Sequence, residues 1–156
     1  MPKMFAVAAV DVINGIVKEF IEHPTLNEVA DALDIIPKLE EKSLTIYDRL
    51  YGSKKMVITH NESGNHFLFR LRKSVCKEMK VIFASKRKRM SVIVEGVPVQ
   101  LIKVFNSSTK SYDHFATSLP KKQINQKIIR QLYNLRWEIE NTFKDFTRTI
   151  RLEQWH

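Results

Sequence analysis

The feature that most constrains the fold is a helical pattern near the C-terminus. Apolar residues recur there in steps of three and four, which defines one buried stripe along an α-helix. The stripe consists of Ile129, Leu132, Leu135, Ile139, Phe143, Phe146 and Ile150. A second set with the same spacing shares a neighbouring helix face. It consists of Tyr133, Arg136, Glu140, Lys144 and Thr147. The pattern predicts a long helix from Ile124 to about Leu152.

The polar face of this helix has two interpretations. One carboxylate among cations and a phenol suits a site for a metal ion and a phosphate group. A solvated charged face with Arg136 and Glu140 as a surface ion pair fits the same spacing. Helical spacing alone does not distinguish them, so both interpretations stay open at this point.

Length and composition limit the class of protein. The chain has 156 residues and 44% hydrophobic content, which is enough for one globular domain with a core. No apolar run approaches the roughly 18 residues of a membrane span, and the N-terminus has no signal-peptide cleavage site. Cys76 is the only cysteine, which excludes an internal disulfide and a cysteine-based zinc cluster and fits a reducing cytoplasm.

The charge is unevenly distributed along the chain. Residues 1–50 carry 5 Lys and Arg against 9 Asp and Glu, whereas residues 51–156 carry 21 against 8. The net charge of the whole chain is +9. A basic C-terminal two-thirds favours a polyanionic partner, and nucleic acid fits better than a membrane because no long basic amphipathic surface helix is present. A generally basic protein without such a partner is the alternative.

Strand and helix patterns alternate in the first half of the chain. Strands are predicted at 5–12, 16–21, 43–47 and 66–71, with helices at 24–35 and 53–60. Asn14-Gly15 predicts a hairpin turn, Thr25 with Glu28 a capping box, and Ser53 a helix cap. A β-rich region follows, with strands predicted at 80–84, 90–94, 97–105 and 112–119. The order predicts an α/β sheet, with 1–75 and 120–156 as the core and 76–119 as a β-rich insertion.

Two motifs carry a family resemblance. Tyr133-x2-Arg136-x3-Glu140, within Arg-Trp-x-Ile-Glu-x-x-Phe-Lys, resembles the catalytic-glutamate helix of DDE transposases of the insertion-sequence-four type. The segment Leu44–Gly52 is similar to the strand and Asp-Arg-x-Tyr segment that carries the second catalytic aspartate of that family. Further similar segments follow the family's order along the chain, at 9–15, 66–70 and 115–119.

The resemblance implies a fold and a metal site. The fold is an RNase H-like mixed sheet with flanking helices, interrupted by the β-rich insertion. Asp48 and Glu140 are implied to be catalytic carboxylates and ligands of Mg2+ or Mn2+. The family's first aspartate, on the first core strand, has no match, because Asp11 and its Asn-Gly turn resemble the turn between the second and third strands. We therefore expect a C-terminal fragment whose first core strand is missing.

The resemblance also implies which residues hold DNA. Tyr133 and Arg136 match positions that contact the DNA backbone. Thr147 stands where the family has a lysine, and Lys144 or Arg148 is expected to take over the phosphate contact. Trp137 has two interpretations, stacking on an unpaired base or packing under the insertion.

The implied activity is metal-dependent DNA strand cleavage and strand transfer. The partners would be transposon ends and target DNA, with a homodimer as the synaptic form and no membrane involvement. The place of action would be the bacterial cytoplasm, at the nucleoid. We expect this chain to be inactive by itself, and the alternative is a non-catalytic nucleic-acid-binding remnant.

Overall fold

The computed structural model describes residues 5–11, 13–14, 16–23, 27–137, 140–141 and 144–145. The strands are β1 Phe5–Asp11, β2 Ile16–His23, β3 Leu44–Tyr47, β4 His66–Arg70, β5 Arg89–Val94, β6 Val97–Asn106 and β7 Ser111–Thr117. The helices are α1 Glu28–Ile35, α2 Lys54–Glu62, α3 Lys77–Ala84 and α4 Gln126–Asn134. Short 3-10 turns at Ile36–Lys38 and Lys121–Gln123 precede β3 and α4. None of the described helices has the length and apolar character that a bilayer crossing requires.

Five strands form one mixed sheet in the order β3-β4-β7-β6-β5. β3 and β4 run parallel, and the other neighbouring strands are antiparallel. β1 and β2 form a separate antiparallel hairpin. The architecture is mixed α/β with helices that flank the sheet, which confirms the predicted fold class.

The two faces of the sheet bury different helices, because successive side chains along a strand point in opposite directions. α1, α2 and α3 pack on the face that carries Phe67, Phe69 and Leu101. α4 packs on the opposite face, where Ile129 and Tyr133 join a cluster of sheet residues. That cluster consists of Leu68, Ile102, Val104 and Phe115. The face under α4 is therefore the one that positions the polar residues of the C-terminal motif.

Several local predictions are confirmed. The hairpin lies where Asn14-Gly15 predicts it, between β1 and β2. The Ser53 hydroxyl accepts a hydrogen bond from the Met56 amide at 3.3 Å, which caps α2. Asn27 is the residue before α1, while the predicted Thr25 cap lies outside the described residues.

The strand predicted at 80–84 is wrong, because this segment lies within α3. Met79 and Ile82 are three residues apart and both are buried against the sheet. Burial of that helical face overrides the β propensity of Val81, Ile82 and Phe83, since β propensity depends strongly on context.

The C-terminal helix begins slightly later than predicted. The Asn125 side-chain oxygen accepts a hydrogen bond from the Ile128 amide at 2.9 Å, so Asn125 is the N-cap of α4. A turn at Leu135 follows α4, and the chain is helical again at 136–137, 140–141 and 144–145. The predicted end near Leu152 lies outside the described residues.

The predicted insertion is continuous with the core sheet. β5, β6 and β7 all come from 76–119, and β7 lies between β4 and β6. The Thr117 hydroxyl also donates a hydrogen bond to the Phe67 carbonyl at 2.6 Å. The division at 76 and 119 stays a prediction about domain organisation, while the hydrogen bonding joins both parts in one sheet.

One edge of β3 is open among the described residues. β3 pairs with β4 on one side, and no described strand pairs with its other side. The hairpin is near, because Lys18 of β2 forms an ion pair with Glu40 at 3.5 Å and Glu19 forms one with Lys38 at 3.8 Å. Unpaired backbone groups at such an edge readily accept a further strand.

A buried polar pair lies directly before Asp48. Tyr47 Oη and His60 Nε2 are 2.9 Å apart, and both side chains are buried beside Phe67 and Phe69. Burial, with a smaller effect of His66, lowers the pKa of His60 to about 4. The imidazole is therefore neutral in the folded protein near neutral pH. Its hydrogen bond to Tyr47 fixes the last residue of β3 in the core.

This histidine should make the stability depend on pH. The unfolded chain binds a proton near pH 6.5, whereas folded His60 binds one only near pH 4. The free energy of unfolding should therefore fall as the pH drops through this window, by up to about 3 kcal/mol. Urea unfolding at several pH values measures it, with His60→Gln as the test and His66→Gln as the control. An identical pH dependence in wild type and His60→Gln would contradict the assignment.

Candidate active site

Asp48 lies immediately after the C-terminal end of β3. The preceding Tyr47 is held in the core by His60, and the Asp48 carbonyl accepts a hydrogen bond from the Tyr51 amide at 3.4 Å. The Asp48 side chain is half-buried. A strand end fixed from one side and a turn on the other make a rigid support for a carboxylate.

Tyr133 of α4 contacts this carboxylate. Its hydroxyl donates a hydrogen bond to Asp48 Oδ1 at 3.1 Å, between residues 85 positions apart in the chain. The side chain is 8% exposed and its ring packs edge-on against Phe115, with centroids 5.1 Å apart. Burial and the negative charge of Asp48 raise the pKa of Tyr133. The phenol therefore stays protonated and serves as a hydrogen-bond donor to Asp48.

Arg136 connects Tyr133 to Glu140. Its guanidinium carbon lies 5.3 Å from the centroid of the Tyr133 ring, and Nη1 donates a hydrogen bond to Glu140 Oε1 at 2.7 Å. The Arg136 side chain is 18% exposed, which is far less than a solvated surface pair would show. Its buried Nε has no hydrogen-bond partner among the described residues. The ion pair expected from spacing is present, but it is part of a packed cluster with Asp48 and Tyr133.

Two residues that the sequence reasoning missed support this cluster. The guanidinium carbon of Arg70 lies 5.6 Å from the Tyr133 ring centroid, and Nη2 donates to Asp113 Oδ1 at 2.6 Å. Burial opposes the charge of Arg70, but the hydrogen bonds to Asp113 and Tyr133 outweigh it and raise its pKa. The Asn106 amide holds the second oxygen of Asp113 at 3.0 Å. The sequence signal that could have identified Arg70 is its positive charge at the end of the apolar strand His66–Arg70.

The remaining predicted DNA contacts differ in how far the structure describes them. Trp137 is 56% exposed, with the Arg136 guanidinium 5.3 Å from its ring, so the prediction that it packs under the insertion is wrong. Lys144 is helical and exposed. Arg148 and Thr147 lie outside the described residues. Successive contacts therefore link Asp48 to Tyr133, Tyr133 to Arg136, and Arg136 to Glu140, with an accessible Trp137 beside Arg136.

The carboxylate oxygens of Asp48 and Glu140 are of the chemical type that binds a hard divalent cation. Asp48 and Glu140 offer carboxylate oxygens, which Mg2+ and Mn2+ prefer over nitrogen or sulfur. Within the described part of the chain, no group of three His, Cys, Asp or Glu side chains lies close enough to hold a metal ion. The two carboxylates fit such a cation chemically, but they fall short of a full protein ligand set.

Asp11 has a structural role in the hairpin. Its Oδ1 accepts hydrogen bonds from the backbone amides of Ile13 and Asn14 at 3.0 and 3.1 Å, and Oδ2 accepts from Asn14 Nδ2 at 2.7 Å. The side-chain hydrogen bond from Asn14 is the largest of the effects that lower the pKa of Asp11. Asp11 thus caps the turn, in agreement with the interpretation of this segment as a strand–turn–strand unit.

A comparison with protein families agrees with the residues assembled here. The family model described as the transposase DDE domain matches residues 21–156, which include Asp48, Tyr133, Arg136 and Glu140. No curated protein and no solved structure matches the chain significantly. Because the family model covers most of the chain, this protein belongs to the DDE transposase domain family.

Proposed function

We propose that this chain is the part of an insertion-sequence-four-type transposase that carries two of the three catalytic carboxylates, Asp48 and Glu140. The reaction would be metal-dependent DNA strand cleavage and strand transfer. The observation that carries the proposal is the Tyr133–Asp48 hydrogen bond of 3.1 Å, because it unites the two motifs in one place. The ion pair between Arg136 and Glu140 then extends the cluster to the second carboxylate.

Each side chain has a distinct task in this proposal. Asp48 and Glu140 would hold Mg2+ or Mn2+, which neutralises charge on the transferring phosphate and activates the attacking oxygen. Tyr133 orients Asp48 through its hydroxyl. Arg136 orients Glu140 through Nη1, and its Nη2 would contact a DNA phosphate.

The third carboxylate belongs, in this proposal, on a strand that pairs with the open edge of β3. Two observations support it. β3 has no described partner on that side, and the β1–β2 hairpin lies nearby as a separate two-stranded sheet. A strand between them would join the two sheets and would end beside Asp48 if it ran parallel to β3. The 156-residue chain by itself would then be inactive.

The outer residues complete the proposed DNA contacts. Trp137 is exposed enough to stack on an unpaired base, and Lys144 and Arg148 would hold phosphates near the Thr147 position. We propose the bacterial cytoplasm, at the nucleoid, as the place of action, because the DNA of an insertion sequence lies there. Transposon ends are paired in such reactions, so we propose a homodimer in the synaptic complex.

A second candidate function is DNA binding without catalysis. The observation that favours it is the absence of a three-carboxylate group among the described residues. The two functions differ in metal dependence, because a binding remnant needs no cation at Asp48 and Glu140.

Metal binding separates these candidates. We expect weak Mg2+ or Mn2+ binding at Asp48 and Glu140, because carboxylate oxygens are the hard ligands that these cations prefer. Mn2+ should broaden the NMR signals of amides next to both residues, and Asp48→Ala or Glu140→Ala should remove this broadening. Glu62→Ala is the control, since Glu62 is an exposed carboxylate at the end of α2. Broadening that persists in both site variants would contradict the hypothesis that Asp48 and Glu140 share one metal site.

A further inference from the structure

A second concentration of positive charge lies away from the carboxylates. It surrounds the loop between α3 and β5 and the 3-10 turn before α4. We call it the basic loop patch, and it consists of Lys86, Arg87, Lys88, Arg89, Lys103, Lys121 and Lys122. The loop lysines and the two lysines of the 3-10 turn are exposed. The resemblance to transposases did not draw on any of these residues.

Hydrogen bonds join the three segments of the patch into one surface. The Lys103 amide donates to the Lys88 carbonyl at 2.8 Å, and Lys103 Nζ donates to the Ser85 carbonyl at 2.5 Å. The Arg89 guanidinium donates to the Lys121 carbonyl. The Arg87 amide is held by the Ser85 hydroxyl at 3.0 Å. The loop, β6 and the 3-10 turn are therefore neighbours with a fixed backbone.

The cations of the patch form no ion pairs with carboxylates among the residues that the structure describes. Within the described residues, none of the seven forms an ion pair, whereas Lys54 contacts both Glu78 and Glu95 at 2.8 Å. Like charges kept close together without counter-charges repel each other, at a cost in stability. Binding of a polyanion to such a surface would offset the repulsion between its positive charges.

The patch lies at the same end of the sheet as Asp48. The strand register places Arg70 beside Phe115, Phe115 beside Ile102, and Ile102 beside Arg89. Asp48 extends this row on the other side, because Tyr47 pairs with Phe69, the residue before Arg70. Four strand spacings separate Asp48 from Arg89, which is about 19 Å. That length corresponds to roughly six base pairs of duplex DNA at 3.4 Å each.

We propose that the basic loop patch binds the phosphate backbone of duplex DNA that flanks the position reached by Asp48 and Glu140. This inference rests on the proposed function, because it takes the carboxylate cluster as the site where a DNA strand is held. In this proposal the patch contacts phosphates, which carry no sequence information, so it contributes affinity and register without sequence preference.

The test measures binding of a short duplex by fluorescence anisotropy over a range of salt concentrations. A triple variant, Lys86→Ala with Arg87→Ala and Lys88→Ala, should weaken binding at least about tenfold and reduce the salt slope by about two to three units. Lys121→Ala with Lys122→Ala, from another segment, should reduce the slope by up to about two. All five side chains are exposed, so circular dichroism should show an unchanged fold.

The matched control removes the same charge from the region where the β1–β2 hairpin meets the segment before β3, near the opposite end of the five-stranded sheet. Lys18, Lys38 and Lys42 are exposed and lie on β2 and in the segment before β3. Their triple alanine variant should leave the salt slope nearly unchanged. Equal losses in the patch and control variants would overturn the proposal, because net charge alone would then explain binding. Tighter binding to anionic lipid vesicles than to DNA would also overturn it.

Arg136→Ala separates this inference from the proposed function. Its loss should flatten the salt slope by about one unit, whatever the duplex sequence. If Arg136→Ala weakens DNA binding and the patch substitutions do not, the proposed role of the patch is contradicted and the proposed function still stands. A wild-type chain that binds no duplex at low salt would overturn both.

Discussion

Replacing Phe69 with alanine is expected to lower the free energy of unfolding by about 3–5 kcal/mol. Phe69 is fully buried on β4, the strand between β3 and β7. Its ring stacks on Phe67 with centroids 4.3 Å apart and contacts Tyr47 at 5.3 Å. The large effect combines the lost transfer of an aromatic side chain with the cavity left in a core that relaxes only partly. Because Tyr47 precedes Asp48, the same change should loosen the support of the site.

Urea unfolding at neutral pH measures this loss. Phe105→Ala is the control, since it makes the same substitution at a side chain that is 44% exposed. Its effect should be smaller, because nearly half of its surface stays in contact with water in the folded protein. A loss below about 1 kcal/mol for Phe69→Ala, or equal losses for both variants, would contradict the core assignment.

Periodicity and turn chemistry predict most of the elements around the site. The Asn14-Gly15 hairpin, the Ser53 cap and the short strand before Asp48 all follow from local residue preferences, and the structure has each of them. These signals are local because each depends on residues within a few positions of one another. They position the individual elements without showing which motifs come into contact in the folded chain.

The contact between Tyr133 and Asp48 is beyond local reasoning. It joins positions 85 residues apart, and only the family resemblance of the two motifs indicated that they belong together. The support from Arg70 and Asp113 was missed for the same reason, because the partners lie on different strands that become neighbours only in the sheet. The strand predicted at 80–84 was wrong since burial of Met79 and Ile82 decides in favour of a helix.

The 156-residue chain by itself is expected not to cut DNA. Its described residues hold two candidate carboxylates, so a cation would be under-coordinated by the protein. Loss of one interaction that stabilises transition-state charge can lower a rate roughly 10²–10³-fold. An unpaired β3 edge would also favour aggregation over an ordered site. Extension of the chain by a strand that ends in Asp and pairs with β3 should supply both the third carboxylate and a partner for the β3 edge.

The DNA-cleavage activity of the extended chain should also depend on Thr147. It stands where the resemblance places a lysine, and a hydroxyl donates one hydrogen bond without supplying charge. If Lys144 or Arg148 does not replace this contact, the extended chain should gain activity only with Thr147→Lys. Comparing the extended chain with and without this substitution shows which cation holds the phosphate.

Nicking of supercoiled plasmid in the presence of Mg2+ is the most direct test of Asp48 and Glu140 as catalytic carboxylates. The extended chain, with Thr147→Lys where needed, should nick DNA, and Asp48→Asn or Glu140→Gln should abolish nicking while DNA binding persists. The unextended chain should not nick. Robust Mg2+-dependent nicking by the unextended chain that is abolished by Asp11→Ala would contradict this account, because Asp11 would then be the first catalytic carboxylate.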